Sequence, residues 1–119
     1  MLRWLRWLAK LADVSPPARV HFDDVEVRCE RSDGTIEQVR WDEIRSIDIL
    51  TTDAGPRRCD VFVVLHGRDR GCVVPQEAAG FHEFFRRLQA LPGFDNRAVI
   101  DAMASTSVKS FAVWHRAGD

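Results

Sequence analysis

The sequence predicts one α+β domain: an antiparallel, strongly bent sheet or partly open barrel of six to seven strands, with a capping helix, a second short helix and a closing C-terminal strand. Three observations predict it. From Val20 to Val74 apolar residues recur with period two between turn residues, after Pro75 the period becomes helical, and from Val108 to His115 it returns to two. A chain of 119 residues has room for one such core, and 45% hydrophobic with 29% charged residues is the balance of an ordinary globular protein.

Val20 and Phe22 alternate, and after Asp23-Asp24 the alternation resumes through Val25, Val27 and Cys29, which predicts a strand interrupted by a turn or bulge. Ser32-Asp33-Gly34 is a hairpin turn, because glycine adopts positive φ without steric cost, and Thr35 to Trp41 is the returning strand. A corner at Trp41-Asp42-Glu43 leads into a strand through Ile44, Ile47 and Ile49. Beyond a loop with Asp53, Gly55 and Pro56 comes Val61-Phe62-Val63-Val64-Leu65, a continuous apolar run typical of a central strand covered on both faces. The segment His66 to Gly71 turns the chain back into Cys72-Val73-Val74, and Pro75 stops that strand.

Ala78, Phe81, Phe84, Phe85, Leu88 and Leu91 form an apolar stripe that predicts a helix over 76–91, ended by Pro92-Gly93. Asp95 caps a shorter helix in which Val99, Ile100 and Met103 share a face. In the last strand Phe111 and Val113 alternate with Ser110, Ala112 and Trp114. With the first pair turned inward, Trp114 is a partly exposed aromatic of the kind that anchors interfaces.

The chain divides into an amphipathic basic helix over 1–14, a proline-containing linker over 15–19 and the domain over 20–119. On a helical wheel Arg3, Arg6, Lys10 and Asp13 fall within about 80° of one another. Leu8 lies opposite, flanked by Met1, Trp4, Leu5, Leu11 and Ala12, with Leu2 and Trp7 at the borders. About three turns of helix are marginal in water, so the apolar face needs a cover. Anionic membrane, a protein partner (a second copy of the chain included) and the protein's own sheet are the three candidates. Arg3, Trp4, Arg6, Trp7, Leu8, Lys10 and Leu11 are the contact residues in each case. A wide apolar face bordered by Trp, with basic residues behind it, is the composition of an interfacial membrane helix.

Charge and cysteine usage narrow the function classes. The net charge is −1, yet residues 1–19 carry Arg3, Arg6, Lys10 and Arg19 against Asp13, or +3, which leaves −4 for the remainder. No nucleic-acid partner is expected from that balance, and attraction to phosphate is confined to the first segment. Arg57, Arg58, Arg68 and Arg70 are basic loop residues that join Trp114 as a candidate interface. Three cysteines, Cys29, Cys59 and Cys72, show no metal-binding spacing and suggest a reducing, cytoplasmic compartment. Arg6 and Lys10 interrupt the apolar run that a secretory signal requires. No metal site, cofactor site or catalytic constellation is expected: His66 and Cys72 flank one hairpin as the minimal thiol–imidazole pair, but any Cys and His on facing strands look alike.

The stretch Val39-Arg40-Trp41-Asp42-Glu43-Ile44-Arg45-Ser46-Ile47, reached from a hairpin, resembles bacterial pleckstrin-homology-like domains and their GRAM relatives. The resemblance covers about residues 20–91 and implies a bent sheet or barrel capped by the Phe-rich helix. A second helix and a further strand depart from that pattern. Arg28 and Arg31 are interleaved with Glu26, Glu30 and Asp33, so the resemblance does not imply head-group binding by the domain itself. The segment Leu91-Pro92-Gly93-Phe94-Asp95-Asn96 is similar to the ends of small uncharacterised bacterial proteins and brings no function with it. The expected function is a small non-enzymatic binding module, peripheral to the membrane through its N-terminal helix. The alternative is a dedicated protein-partner binder such as a toxin-neutralising immunity protein.

Overall fold

In the computed structural model, which describes residues 18–31, 33–52, 61–105 and 107–117, the alternating stretches form seven strands in two antiparallel sheets. Strands β1 (Ala18–Phe22), β2 (Glu26–Arg31) and β3 (Ile36–Arg40) make a three-stranded meander. Strands β4 (Ile44–Thr51), β5 (Val61–Gly67), β6 (Gly71–Pro75) and β7 (Lys109–His115) make the second sheet, ordered β6-β5-β4-β7. Helices α1 (Phe81–Gln89) and α2 (Asn96–Met103) follow β6 in the chain. The α+β class and the seven strands agree with expectation. The strands nevertheless divide into two sheets, and those described close no barrel.

Local chemistry explains the division. The Glu43 carboxylate accepts from the Arg40 N–H at 3.0 Å, and a 3-10 turn over Trp41–Glu43 swings the chain out of the first sheet before β4 begins. At the other hairpin of the meander, Asp33 Oδ1 accepts from the Thr35 N–H and Gly34 takes a φ of +90°. Strand β1 starts at Ala18, so Ala18 and Arg19 belong to the sheet and not to the linker. Val25 stands 50% exposed in a turn set by Asp23 Oδ1, which accepts from the Val25 and Glu26 N–H groups.

Helix α1 begins at Phe81 instead of Gln76 because the preceding residues are already engaged. The Ala79 N–H donates to Ala18 O and the Val20 N–H to Ala79 O, which joins the outer edge of β1 to the segment after β6. Gly80 makes the transition at φ +84°, and a Cβ there would stand 2.7 Å from Val20 O. From α1, Phe84 and Leu88 enter the core completely. In α2 the Asp95 carboxylate accepts from the Ala98 N–H, as an N-cap should. Its buried residue is Ala102, with Ala98 and Val99 half-buried, whereas Ile100 and Met103 are 63% and 47% exposed. The helix is therefore rotated from the face expected, because the small Ala side chains allow close approach to β7.

Between the sheets lies one apolar core that includes Val27, Cys29, Val39, Ile47, Ile49, Val63, Leu65, Cys72 and Val74. Two charged residues share its inward positions. Arg31 follows Val27 and Cys29 along β2, Glu37 precedes Val39 on β3, and their side chains are 5% and 8% exposed. The Arg31 guanidinium donates to Glu37 Oε1 at 2.9 Å and to Val73 O at 2.9 Å, while the Val73 N–H donates to Glu37 Oε1 at 3.1 Å. Strand β6 is an edge of its sheet among the described strands, so the ion pair satisfies a backbone donor and acceptor that no described strand reaches. Burial pushes the Glu37 carboxyl up, while the Val73 N–H and the guanidinium pull it back. Arg31 Nε is buried without a partner, a cost the clamp carries.

Replacing a buried ion pair by apolar residues is often neutral, but here two backbone groups would be stranded as well. Arg31→Met should destabilise the fold by about 3–5 kcal/mol. Combining it with Glu37→Leu should recover only part of that and leave a deficit of about 1–3 kcal/mol. Urea unfolding of the three proteins checks this, and a double variant as stable as the parent would refute the clamp.

Candidate functional site

The end of the molecule at the 3-10 corner collects residues from four parts of the chain. Trp41 and Asp42, Ile44 at the start of β4, Leu91 to Gly93 after α1, and Trp114 to Ala117 line an open groove of about 630 Å³. Trp41 is positioned by its backbone N–H to Val25 O at 2.9 Å and its indole N–H to Asp23 O at 2.7 Å. The Glu26 and Val25 N–H groups that fix this Asp23 turn hold the Asp23 carboxyl below the usual range. The Arg87 guanidinium lies over the Trp41 ring, 4.6 Å from its centre.

Trp114 reaches the groove through a bulge. Its partner on β4 is Ile47 while Ala112 faces Asp48, so Val113 is the additional residue. Strict alternation places Trp114 with Ser110 and Ala112, opposite Phe111 and Val113. The bulge overturns that placement and brings Trp114 to the side of Ile47, half-buried against the core. Its indole N–H donates to Pro92 O at 2.8 Å, and the Val113 carbonyl accepts from the Asp95 N–H. Arg116 lies over the Trp114 ring and donates to Ile44 O and Trp41 O, each at 2.7 Å. These bonds tie the walls of the groove to one another.

Beside the groove, and sharing Asp42 and Arg116 with it, is a polar hollow of about 350 Å³ lined also by Glu43, Arg45, Arg68 and Asp69. Three residues of each sign leave no excess for an anion. Arg70 donates to Glu43 at 2.8 Å, and Arg40 holds Asp42 at 3.1 Å. The Arg70 guanidinium lowers the Glu43 carboxyl and Arg40 lowers that of Asp42. Of the basic residues expected at an interface, Arg68 stands exposed at the hairpin tip while Arg70 is engaged by Glu43. Arg57 and Arg58 lie outside the described residues, as do Arg3, Trp4, Arg6, Trp7, Leu8, Lys10 and Leu11 with the helix over 1–14.

His66 and Cys72 do not meet. Cys72 points into the core at 0% exposure and its Sγ contacts Val27 O, whereas His66 Nε2 lies 3.0 Å from Asp48 Oδ2 on the other face of the sheet. Sequence reasoning missed the Asp48–His66 pair because its members are separated by a loop. The signal was available in the outward positions of β4 and β5, which place His66 opposite Ser46 and one step from Asp48. Among the described residues no group of three or more His, Cys, Asp or Glu is arranged to hold a metal ion.

Burial pushes the Cys29 thiol up to about 11 and the Cys72 thiol further. Both are therefore weak nucleophiles near neutral pH. In a Cys59→Ser protein, a water-soluble aromatic disulfide should label neither remaining thiol until denaturant is added. Labelling within seconds in buffer would show that one of them is reachable in the native state. No family model, curated protein or solved structure matches this chain, so function has to be read from the geometry of the site itself.

Proposed function

We propose that this protein is a small non-catalytic binding module that docks a protein partner on the groove between Trp41 and Trp114. The observation that carries the reading is the make-up of that groove: two half-buried tryptophans, Leu91 and Pro92, cross-linked by Arg116 into a preformed surface. Trp and Arg are the residues enriched at the energetic centres of protein interfaces, and a rigid aromatic wall loses little entropy on binding. The balanced charge of the neighbouring hollow favours an apolar side chain with a polar rim over a phosphate. A partner binder of this kind includes the toxin-neutralising class.

The buried thiols support a non-enzymatic role, as does the separation of His66 from Cys72. A pleckstrin-homology-like assignment belongs to the same proposal. Its support is the three-strand meander leading through the Trp41 corner and the Phe-rich helix packed beside β1, with β7 on the far edge as the departure. No described helix is long and apolar enough to cross a membrane.

Pro92 is exposed and gives only its carbonyl to the framework, so Pro92→Asp alters the groove without removing the bond to Trp114. Affinity capture from the native host should lose its specific partner with Pro92→Asp, by about 10-fold or more in recovery, for a loss of about 1.4 kcal/mol. The same partner should remain with Arg3, Arg6 and Lys10 all changed to Glu. Retention by the first variant and loss by the second would move the binding surface to the N-terminal segment.

A further inference from the structure

Helices α1 and α2 are tied to strands of different sheets. Just before α1, the Ala79 N–H donates to Ala18 O and the Val20 N–H to Ala79 O, and the Phe84 ring meets that of Phe22 with 6.4 Å between centroids, so α1 sits beside β1. Helix α2 is held over β7 instead. The N–H of its capping residue Asp95 donates to Val113 O, and Ala98 and Ala102 pack toward the core.

Between the two helices an open cleft of about 780 Å³ remains. Its base is the inward face of the larger sheet, with Ile49 on β4 and Val63 on β5 buried at the bottom. One wall is Phe81 and Phe85 of α1, whose rings stack with 5.5 Å between centroids and 16° between planes. The Phe94 ring meets Phe85 edge-on at 6.0 Å and braces that wall. Val99 and Met103 of α2 form the other wall. Met103 is exposed, as is Ile100 one turn before it, so apolar surface continues outward from the cleft. An apolar space of this size between helices, with a few polar groups at one end, is the usual form of a small-molecule site.

The polar part of the lining decides the class of molecule. It consists of Gln76, His82 and Glu83, all exposed. The Glu83 carboxylate makes no ion pair among the described residues, and no lysine or arginine lines the cleft. One unpaired carboxylate at the mouth of an apolar slot suits an apolar body that carries a cation. The body releases water from the phenylalanine wall, and the head makes a charge-assisted hydrogen bond or an ion pair at the rim.

We propose that the cleft between α1 and α2 is a site for a small organic cation, an amine on an apolar ring or short chain, with its body between Phe81 and Val99 and its head at Glu83. The site shares no lining residue with the groove between the tryptophans and stands whether or not that groove docks a protein.

Titration of the full-length protein with 1-naphthylmethylammonium, followed by methyl NMR, tests the assignment. The Ile49, Val63, Val99 and Met103 methyls should shift together and saturate. Binding of 1-naphthoate should be weaker by about 10-fold, a difference of about 1.4 kcal/mol. Glu83→Gln, at an exposed position, should weaken the ammonium by about 3-fold, as loss of an exposed ion pair does, and leave the neutral 1-naphthylmethanol unaffected. Equal affinity for the two ions, or an unchanged ammonium affinity in Glu83→Gln, would overturn the cationic class. Shifts that do not saturate, or that are confined to residues around Trp41 and Trp114, would overturn the site. Nuclear Overhauser contacts to the Val63 and Met103 methyls of the ligand-free protein from a second copy, or from a further segment of the same chain, would overturn it in favour of that occupant.

Discussion

A buried guanidinium–carboxylate pair on the edge of a strand joins the two halves of this fold. The three-stranded meander and the four-stranded sheet share no backbone ladder between β3 and β6. In place of a ladder, Arg31 and Glu37 reach across to the C=O and N–H of Val73. A buried ion pair alone is weak support for stability, because desolvation offsets its attraction. This pair differs in that each partner also satisfies a backbone group that would otherwise be buried alone. Its removal would open an edge as well as a salt bridge, and the apolar residues around it, Val27, Cys29, Val39 and Cys72, depend on the two sheets staying in register.

Once the sheets are held this way, the rest of the geometry follows. The corner at Trp41 must bridge from one sheet to the other, so it stands at the rim, where the Asp23 turn and Arg116 fix it. Strand β7 pairs with β4 on the side away from β5, and its bulge turns Trp114 toward that same rim. The groove is thus a by-product of joining two sheets at one end. At the opposite edge β1 is tied to Ala79, which joins the outer strand of the meander to the segment that follows β6.

Strands and turns were legible in the sequence wherever alternation was unbroken, as in Val27-x-Cys29 and in the run Val61 to Leu65. Glycine marked the turn at Gly34, because a positive φ is a demand written in a single residue, and at Asp23 the break in alternation left a turn or a bulge open until the Asp23 carboxylate bonds to the Val25 and Glu26 N–H groups decided for a turn. The clamp was half legible. Arg31 and Glu37 occupy the inward positions of their strands, but charged residues among Glu26, Arg28 and Glu30 read as a solvated face until the opposing edge of β6 is known. The bulge at Val113 was not legible, since it arises from the match of β7 to β4 and not from β7 itself; strict alternation therefore put the candidate residue Trp114 on the side away from Ile47. The start of α1 was missed because Ala79 has a helical pattern and a sheet partner, and the partner decides.

The central claim, that side chains and not a strand complete the β6 edge, is tested most directly by amide hydrogen exchange at Val73 in the full-length protein. The account predicts slow exchange at the Val73 N–H, comparable with amides of β5 that have ladder partners on both sides. Exchange at the rate of a solvent-facing edge amide, with β5 still protected, would contradict it.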